Sequence, residues 1–260
     1  MNMHSVVGRW SKGIVLGCIG VLLTGMSLTG CRSIDTSREP AGESSTEATA
    51  RPQKPAERDD VSPPSLDSLK QGEVLSLFDG QTLGQWKSTD FGGQGEVRVK
   101  DGAIHMEIGT YMTGVTWTGP VVRMDYEITL DAMRVEGNDF FCGLTFPVGE
   151  KPCTLVLGGW GGTVCGLSNI DYYDASENET TVIHGFSNGQ WYHVRLRVVS
   201  DRIQAWLDGE EIVDVETTGR QIDIRPEVDL SQPLGVATWM TAGAIRNIEV
   251  TKLPPSDSDE

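Results

Sequence analysis

From Val122 the apolar residues fall on every second position (Val122, Met124, Tyr126, Ile128, Leu130, Ala132), with Arg123, Asp125, Glu127, Thr129 and Asp131 between them. A period of two suits a strand with one buried and one wet face, and it cannot gather apolar residues on one side of a helix. The pattern returns at Tyr192, Val194, Leu196 and Val198, again at Ile203, Ala205 and Leu207, and in shorter form at Ile248 and Val250. Turn pairs separate the runs: Asp79-Gly80, Asp101-Gly102, Ser200-Asp201 and Asp208-Gly209, which are chemistry for tight hairpins. No stretch reads as a long amphipathic helix. Short, half-buried strands joined by hairpins predict an all-β fold, a single antiparallel sandwich or jelly roll. It occupies residues 73–253, a length that can bury one substantial core.

The flanks carry a different message. Arg9 and Lys12 precede a short apolar run at 13–26, which has the length of a signal-peptide core rather than of a membrane span. It closes on Leu28-Thr29-Gly30-Cys31, which resembles the bacterial lipobox. That resemblance implies cleavage after residue 30, acylation of Cys31, and a lipoprotein anchored in the cell envelope, facing the periplasm or the exterior. An ordinary signal peptide with a chance cysteine is the alternative. Several acyl chains hold a protein more firmly than one. Residues 31–72 are rich in Ser, Thr, Pro, Glu and Ala and hold no aromatic residue, so a disordered stalk is expected, with a reach of about 35 Å. The tail at 254–260 reads the same way.

The chain carries a net charge of −16. Two of its 21 basic residues and none of its 37 acidic ones precede Cys31, so the mature part stands at −18. Such a chain repels nucleic acid and anionic lipid heads, and neither is expected as a partner. Cys142, Cys153 and Cys165 remain after the signal, without a CxxC pair, a spacing that speaks against zinc. They read as small buried core residues, with a Cys142–Cys153 bridge as the alternative.

Leu77-Phe-Asp-Gly-Gln-Thr-Leu-Gly-Gln-Trp86 followed by Val97-Arg-Val-Lys-Asp-Gly-Ala-Ile104 resembles the opening of the 3-keto-disaccharide hydrolase family, also described as 3-keto-glucoside lyases and 3-keto-2-hydroxyglucal hydratases. Gly189-Gln-Trp-Tyr-His-Val-Arg-Leu-Arg-Val198 with Ile203-Gln-Ala-Trp-Leu-Asp-Gly209 resembles its closing hairpin, and Ala244-Ile-Arg-Asn-Ile-Glu-Val250 its last strand. The resemblance implies a concanavalin A-like jelly roll acting on glycosides or 3-keto-glycosides, with carbohydrate as partner. The chain departs from the family pattern at two places. Asn138-Asp-Phe-Phe-Cys-Gly143 stands where an Asn-Ser-Gly-Ile-like strand is usual, and Cys153-Thr-Leu-Val-Leu-Gly-Gly-Trp160 lacks the usual Glu-x-Gln. A non-catalytic lectin module is therefore the alternative function.

The implied chemistry removes the acidified hydrogen at C2 of a 3-keto sugar and expels the glycosidic oxygen from C1. It needs a base, and donors or a divalent metal at the enolate oxygen. In Ala103-Ile-His-Met-Glu-Ile108, His105 and Glu107 share the face opposite Ile104 and Met106, which offers a base or ligand pair. Asp139 and His184 complete the candidate catalytic set. The acidic stretch 171–179 before His184 offers carboxylates for a cation such as calcium. Trp160, among glycines at 158–162, and Trp239 are candidates for stacking on a pyranose. Asn138 and Asn169 are candidates for hydrogen bonds to its hydroxyls. His193, beside Trp191, reads as structural.

Overall fold

The computed structural model describes residues 69–255; Cys31 and the expected signal and stalk lie outside the described residues, apart from the last few stalk positions. Fifteen strands follow in order: β1 Val74–Ser76, β2 Trp86–Ser88, β3 Val97–Lys100, β4 Ala103–Met106, β5 Met112–Trp117, β6 Tyr126–Glu136, β7 Cys142–Val148 and β8 Lys151–Gly159. The remainder are β9 Val164–Ser168, β10 Val182–Ile183, β11 Trp191–Val199, β12 Arg202–Leu207, β13 Glu210–Glu216, β14 Gly235–Trp239 and β15 Ala242–Lys252. They form two antiparallel sheets. One runs β13-β12-β11-β6-β15-β4-β3 with β1 also on β15; the other runs β10-β9-β8-β7-β14-β5-β2. This is the expected jelly-roll sandwich.

Alternation built the core. Tyr126, Ile128, Leu130 and Ala132 of β6 point inward with Val194 and Leu196 of β11, and meet Leu144, Phe146, Leu155 and Leu157 from the second sheet. Each such side chain contributes about 1.5–3 kcal/mol by leaving water. The Tyr126 hydroxyl crosses between the sheets and donates to the Pro147 carbonyl at 2.5 Å. At its start the run read from sequence breaks: Asp125 sits at φ +57° and the strand begins at Tyr126, although Val122 is still buried.

The turns follow their residues. Asp101-Gly102 and Asp208-Gly209 have positive φ at both positions, which matches the twist of a two-residue hairpin. The Asp79 carboxylate accepts the backbone N–H groups of Gln81 and Thr82, and Trp86 donates its indole N–H to the Leu77 carbonyl at 2.9 Å. The opening motif is thus a folding element. Leu69 packs into the core and Gly72 N–H donates to Lys252, so the folded chain reaches back past the boundary expected at 73.

Cys142, Cys153 and Cys165 are buried thiols and form no bridge. Cys153 lies opposite Phe146 in the sheet and Cys142 opposite Leu157, so the alternative of a Cys142–Cys153 disulfide is ruled out by register. Burial pushes their thiols up to about 12, about 12 and about 11 for Cys142, Cys153 and Cys165.

The outer face of the eight-stranded sheet is polar and cross-linked. Asp131 accepts from His193 at 3.0 Å, Asn247 at 2.8 Å and Arg246 at 3.3 Å, while Arg195 lies 3.6 Å from the Trp206 ring centroid. Burial pushes the Asp131 carboxyl up, but these three hydrogen bonds outweigh it and hold the carboxyl below its ordinary range. A carboxylate lowered by folding stabilises the protein above its unfolded value of about 3.9 and loses that contribution as pH falls through the folded value. Asp131→Asn should therefore lose less stability than the wild type between about pH 5 and pH 2. Urea unfolding at a series of pH values checks this, and parallel curves would contradict it.

Candidate functional site

The outer face of the seven-stranded sheet is different in character. Because Cys142, Leu144, Cys153, Leu155, Leu157, Cys165 and Leu167 go to the core, the alternate positions of β7, β8 and β9 face outward, and they are small. Gly143, Thr154, Val156 and Ser168, with Met112 of β5, floor a cavity of about 210 Å³. A side chain on Gly143 would press on the Phe140 ring, its first carbon only 3.2 Å from the nearest ring atom. The walls are Phe140, Trp160, Trp239 and Val228. Val228 stands on a 3-10 helix, Pro226–Ser231, that packs on β5 and β14 and also brings Glu227 to the cavity.

Trp160 sits at the tip of the β8–β9 hairpin with φ +49° and is 43 % exposed. Two side chains hold the hairpin. Asp139 accepts the Gly161 N–H at 3.1 Å through one oxygen and the Phe140 N–H at 2.8 Å through the other. On the far side Arg134, 7 % exposed, donates to the carbonyls of Gly162 and Phe186 and to the Asn188 side chain. Trp239 closes the opposite wall: its N–H donates to the Phe140 carbonyl at 3.0 Å, and its ring lies 6.5 Å from that of Phe140.

The cavity is lined by one cation, Arg225, and two carboxylates, Asp139 and Glu227. Arg225 donates to Asp174 at 2.8 Å and to Glu227 at 2.9 Å. The Arg225 guanidinium keeps the Glu227 carboxyl below its usual range. Of the groups expected from sequence, Asp139, Trp160 and Trp239 therefore meet at one cavity. Asn169 adjoins it through Ser168, whose hydroxyl donates to the Asn169 side chain at 2.9 Å. Asn138 is exposed beside Asp139 and outside the lining.

The structure places the other candidates elsewhere. His105 and Glu107 lie at the eight-stranded sheet, on its outer side, with the whole core between them and the cavity. Glu107 is paired with Arg98 at 2.6 Å, and burial, with Lys100 and Arg98 nearby, lowers the His105 imidazole. The alternation that suggested a shared face was read correctly, but which sheet that face belonged to was not in the pattern. His184 packs 4.6 Å from the Phe186 ring and 6.1 Å from Tyr192 at the end of the sandwich, with Nδ1 buried and unpartnered. It does not line the cavity.

The acidic stretch does not fit a cation. Arg220 takes Asp171 at 2.7 Å and pairs with Glu179, and Arg225 takes Asp174. The Gln221 N–H and Arg220 together lower the Asp171 carboxyl. Asn178 spends its amide on three backbone carbonyls, Leu167, Tyr173 and Asp174. Among the described residues no group of three or more His, Cys, Asp or Glu side chains could hold a metal. The cavity residues missing from the sequence reading are Met112, Phe140, Arg225, Glu227, Val228 and the small floor. Pro226 at a helix start was the only local signal for the segment that supplies two of them.

A sequence profile of the family described as the 3-keto-alpha-glucoside-1,2-lyase-like domain matches residues 73–251. No curated protein matches the sequence. Among solved structures, the Crh5 transglycosylase is 10% identical with a TM-score of 0.51, covering 70% of this chain and 85% of its own. A carbohydrate binding module, CBM66 from Bacillus subtilis, is 11% identical with a TM-score of 0.43, covering 66% of this chain and 96% of its own. A prokaryotic beta-1,3-1,4-glucanase (lichenase) from a mouse hindgut metagenome is 11% identical with a TM-score of 0.43, covering 71% of this chain and 100% of its own. At these identities the likeness is one of fold.

Asp139→Ala removes two charge-assisted bonds to backbone amides and should cost about 2 kcal/mol. Chemical denaturation measures this, and a change below about 0.5 kcal/mol would show that the carboxylate does not clamp the hairpin.

Proposed function

Because the chain belongs to the 3-keto-alpha-glucoside-1,2-lyase-like domain family, we propose that it takes the ring of a 3-keto-glycoside into the cavity over the seven-stranded sheet and cleaves the glycosidic bond by elimination. The observation that carries the reading is the cavity itself. Aromatic walls suit the apolar face of a pyranose, and two carboxylates at the rim suit its hydroxyls or its C2 hydrogen. The space, about 210 Å³, lies below the roughly 300–1,000 Å³ of pockets that enclose drug-sized ligands, which suits a single ring.

Elimination asks for a base at C2. The electron pair from the C2–H bond passes into the C3 carbonyl as an enolate, then returns to form a C1–C2 double bond as the C1–O bond breaks. The departing oxygen takes a proton from solvent. Asp139 and Glu227 are the carboxylates lining the cavity. Glu227 is already bonded to Arg225 at 2.9 Å, which holds its carboxyl low. Asp139 accepts one backbone N–H on each oxygen, and each oxygen keeps a lone pair for a hydroxyl or proton. The role of base falls to Asp139.

A second reading, a non-catalytic carbohydrate-binding module, is favoured by one observation. Both carboxylates already have partners, and the β8 positions that face the cavity are Thr154 and Val156, so that strand brings neither a carboxylate nor an amide to it. The domain would work at the cell envelope, tethered through Cys31; Leu28-Thr29-Gly30-Cys31 supports this part of the reading.

A 3-keto-glucoside followed by NMR separates the two. The enzyme reading expects an enone product, lost in Asp139→Asn, and binding weakened about tenfold in Trp160→Ala, or about 1.4 kcal/mol. Saturable shifts without product would assign the binding module, and neither signal would overturn both. For the tether, labelled palmitate should enter the chain and fail to enter Cys31→Ser; equal labelling would refute it.

A further inference from the structure

The cavity's apolar wall does not end at its mouth. Phe140 lies inside, Trp239 forms the lip, and Tyr111 continues the row outside, its ring centroid 5.7 Å from that of Trp239 at an interplanar angle of 39°. Tyr111 is 59% exposed. Met240 follows Trp239 in the β14–β15 turn with φ +44°, donates its N–H to the Tyr111 carbonyl at 2.7 Å, and is 53% exposed. A lone exposed apolar residue needs no explanation, but the exposed Tyr111 and Met240 flank the half-buried Trp239 at the cavity's mouth, and together the three form a surface a ligand can use.

Resting on the cavity reading above, we propose that Tyr111, Trp239 and Met240 form the seat of the leaving group, and that the preferred substrates are glycosides with an aromatic aglycone. A cavity of about 210 Å³ has room for one ring, so whatever is attached to C1 must lie beyond the lip. The row is continuous with the wall that would hold the sugar. It ranks an aromatic ring above a second sugar by its chemistry. A second pyranose would bring several hydroxyls, whereas the three side chains offer one hydroxyl, one indole edge and a thioether. An aromatic ring gains from stacking beside Tyr111 and Trp239 and from contact with the Met240 sulfur, and leaves no polar group unpaired.

The test compares 3-keto forms of phenyl α-glucoside, methyl α-glucoside and maltose on the full-length chain, reading the half-saturating concentration of each. The phenyl glucoside should saturate about tenfold lower than the methyl glucoside, and the maltose derivative should behave like the methyl one. Tyr111→Ala should abolish the difference while leaving the methyl glucoside within about twofold, and Tyr111→Phe should preserve it. Equal values for phenyl and methyl, or a preference untouched by Tyr111→Ala, would overturn the seat and leave the cavity reading standing. A maltose preference lost in Tyr111→Ala would assign the row to a second sugar instead. Failure of all three to saturate would overturn the cavity reading and the seat with it.

Discussion

A strand in a two-sheet sandwich can send only every second residue inward, and everything distinctive about this molecule lies in what it does with the other half. On β7, β8 and β9 the inward set is filled with leucine, phenylalanine and cysteine, each almost fully buried. The outward set is glycine, threonine, valine and serine. Large residues there would have filled the space that the helix at 226–231 and the hairpin at 160 enclose. On the eight-stranded sheet the outward set is Asp131, His193, Arg195 and Arg246, whose ion pairs and ring contacts leave a flat, solvated face. One rule of alternation thus produces a core, a cavity and a polar surface.

Much of this was legible in the chain. The runs at 126–132, 192–198 and 203–207 became β6, β11 and β12 with the inward residues expected, because period-two patterning reports burial directly. Asp101-Gly102 and Asp208-Gly209 adopted hairpin conformations, because only particular residues tolerate positive φ. Topology was not legible. His105 and Glu107 shared a face as read, yet β4 joined the eight-stranded sheet, across the core from the cavity, a fact set by long-range pairing with β3 and β15. Trp160 and Trp239, some eighty positions apart, reached the same site through strands that give no local sign of being neighbours. The helix that closes the cavity is six residues long, beneath the length at which an amphipathic period can be seen.

The charges show a comparable economy. Asp171, Asp174 and Glu179 read as an acidic stretch that could take a cation, and the fold answers them with Arg220 and Arg225, which also pairs with Glu227. Arg225 spans the 174 loop and the 3-10 helix, so the electrostatic pairing also fixes one wall of the cavity. Asp139 is answered by backbone amides and Arg134 by carbonyls. Side chains of opposite sign therefore hold the same hairpin without touching each other.

The three thiols lead in another direction. With values of about 12, 12 and 11, and no exposed sulfur among them, none offers a thiolate at neutral pH. Thiol–disulfide exchange requires that anion. The finished domain therefore presents no thiolate of these three cysteines for disulfide exchange, whatever the redox potential around it. Susceptibility is confined to the interval before the core closes. A chain of this design trades the reinforcement of a cross-link for freedom from mispairing, and it must complete β7, β8 and β9 before an oxidant finds them.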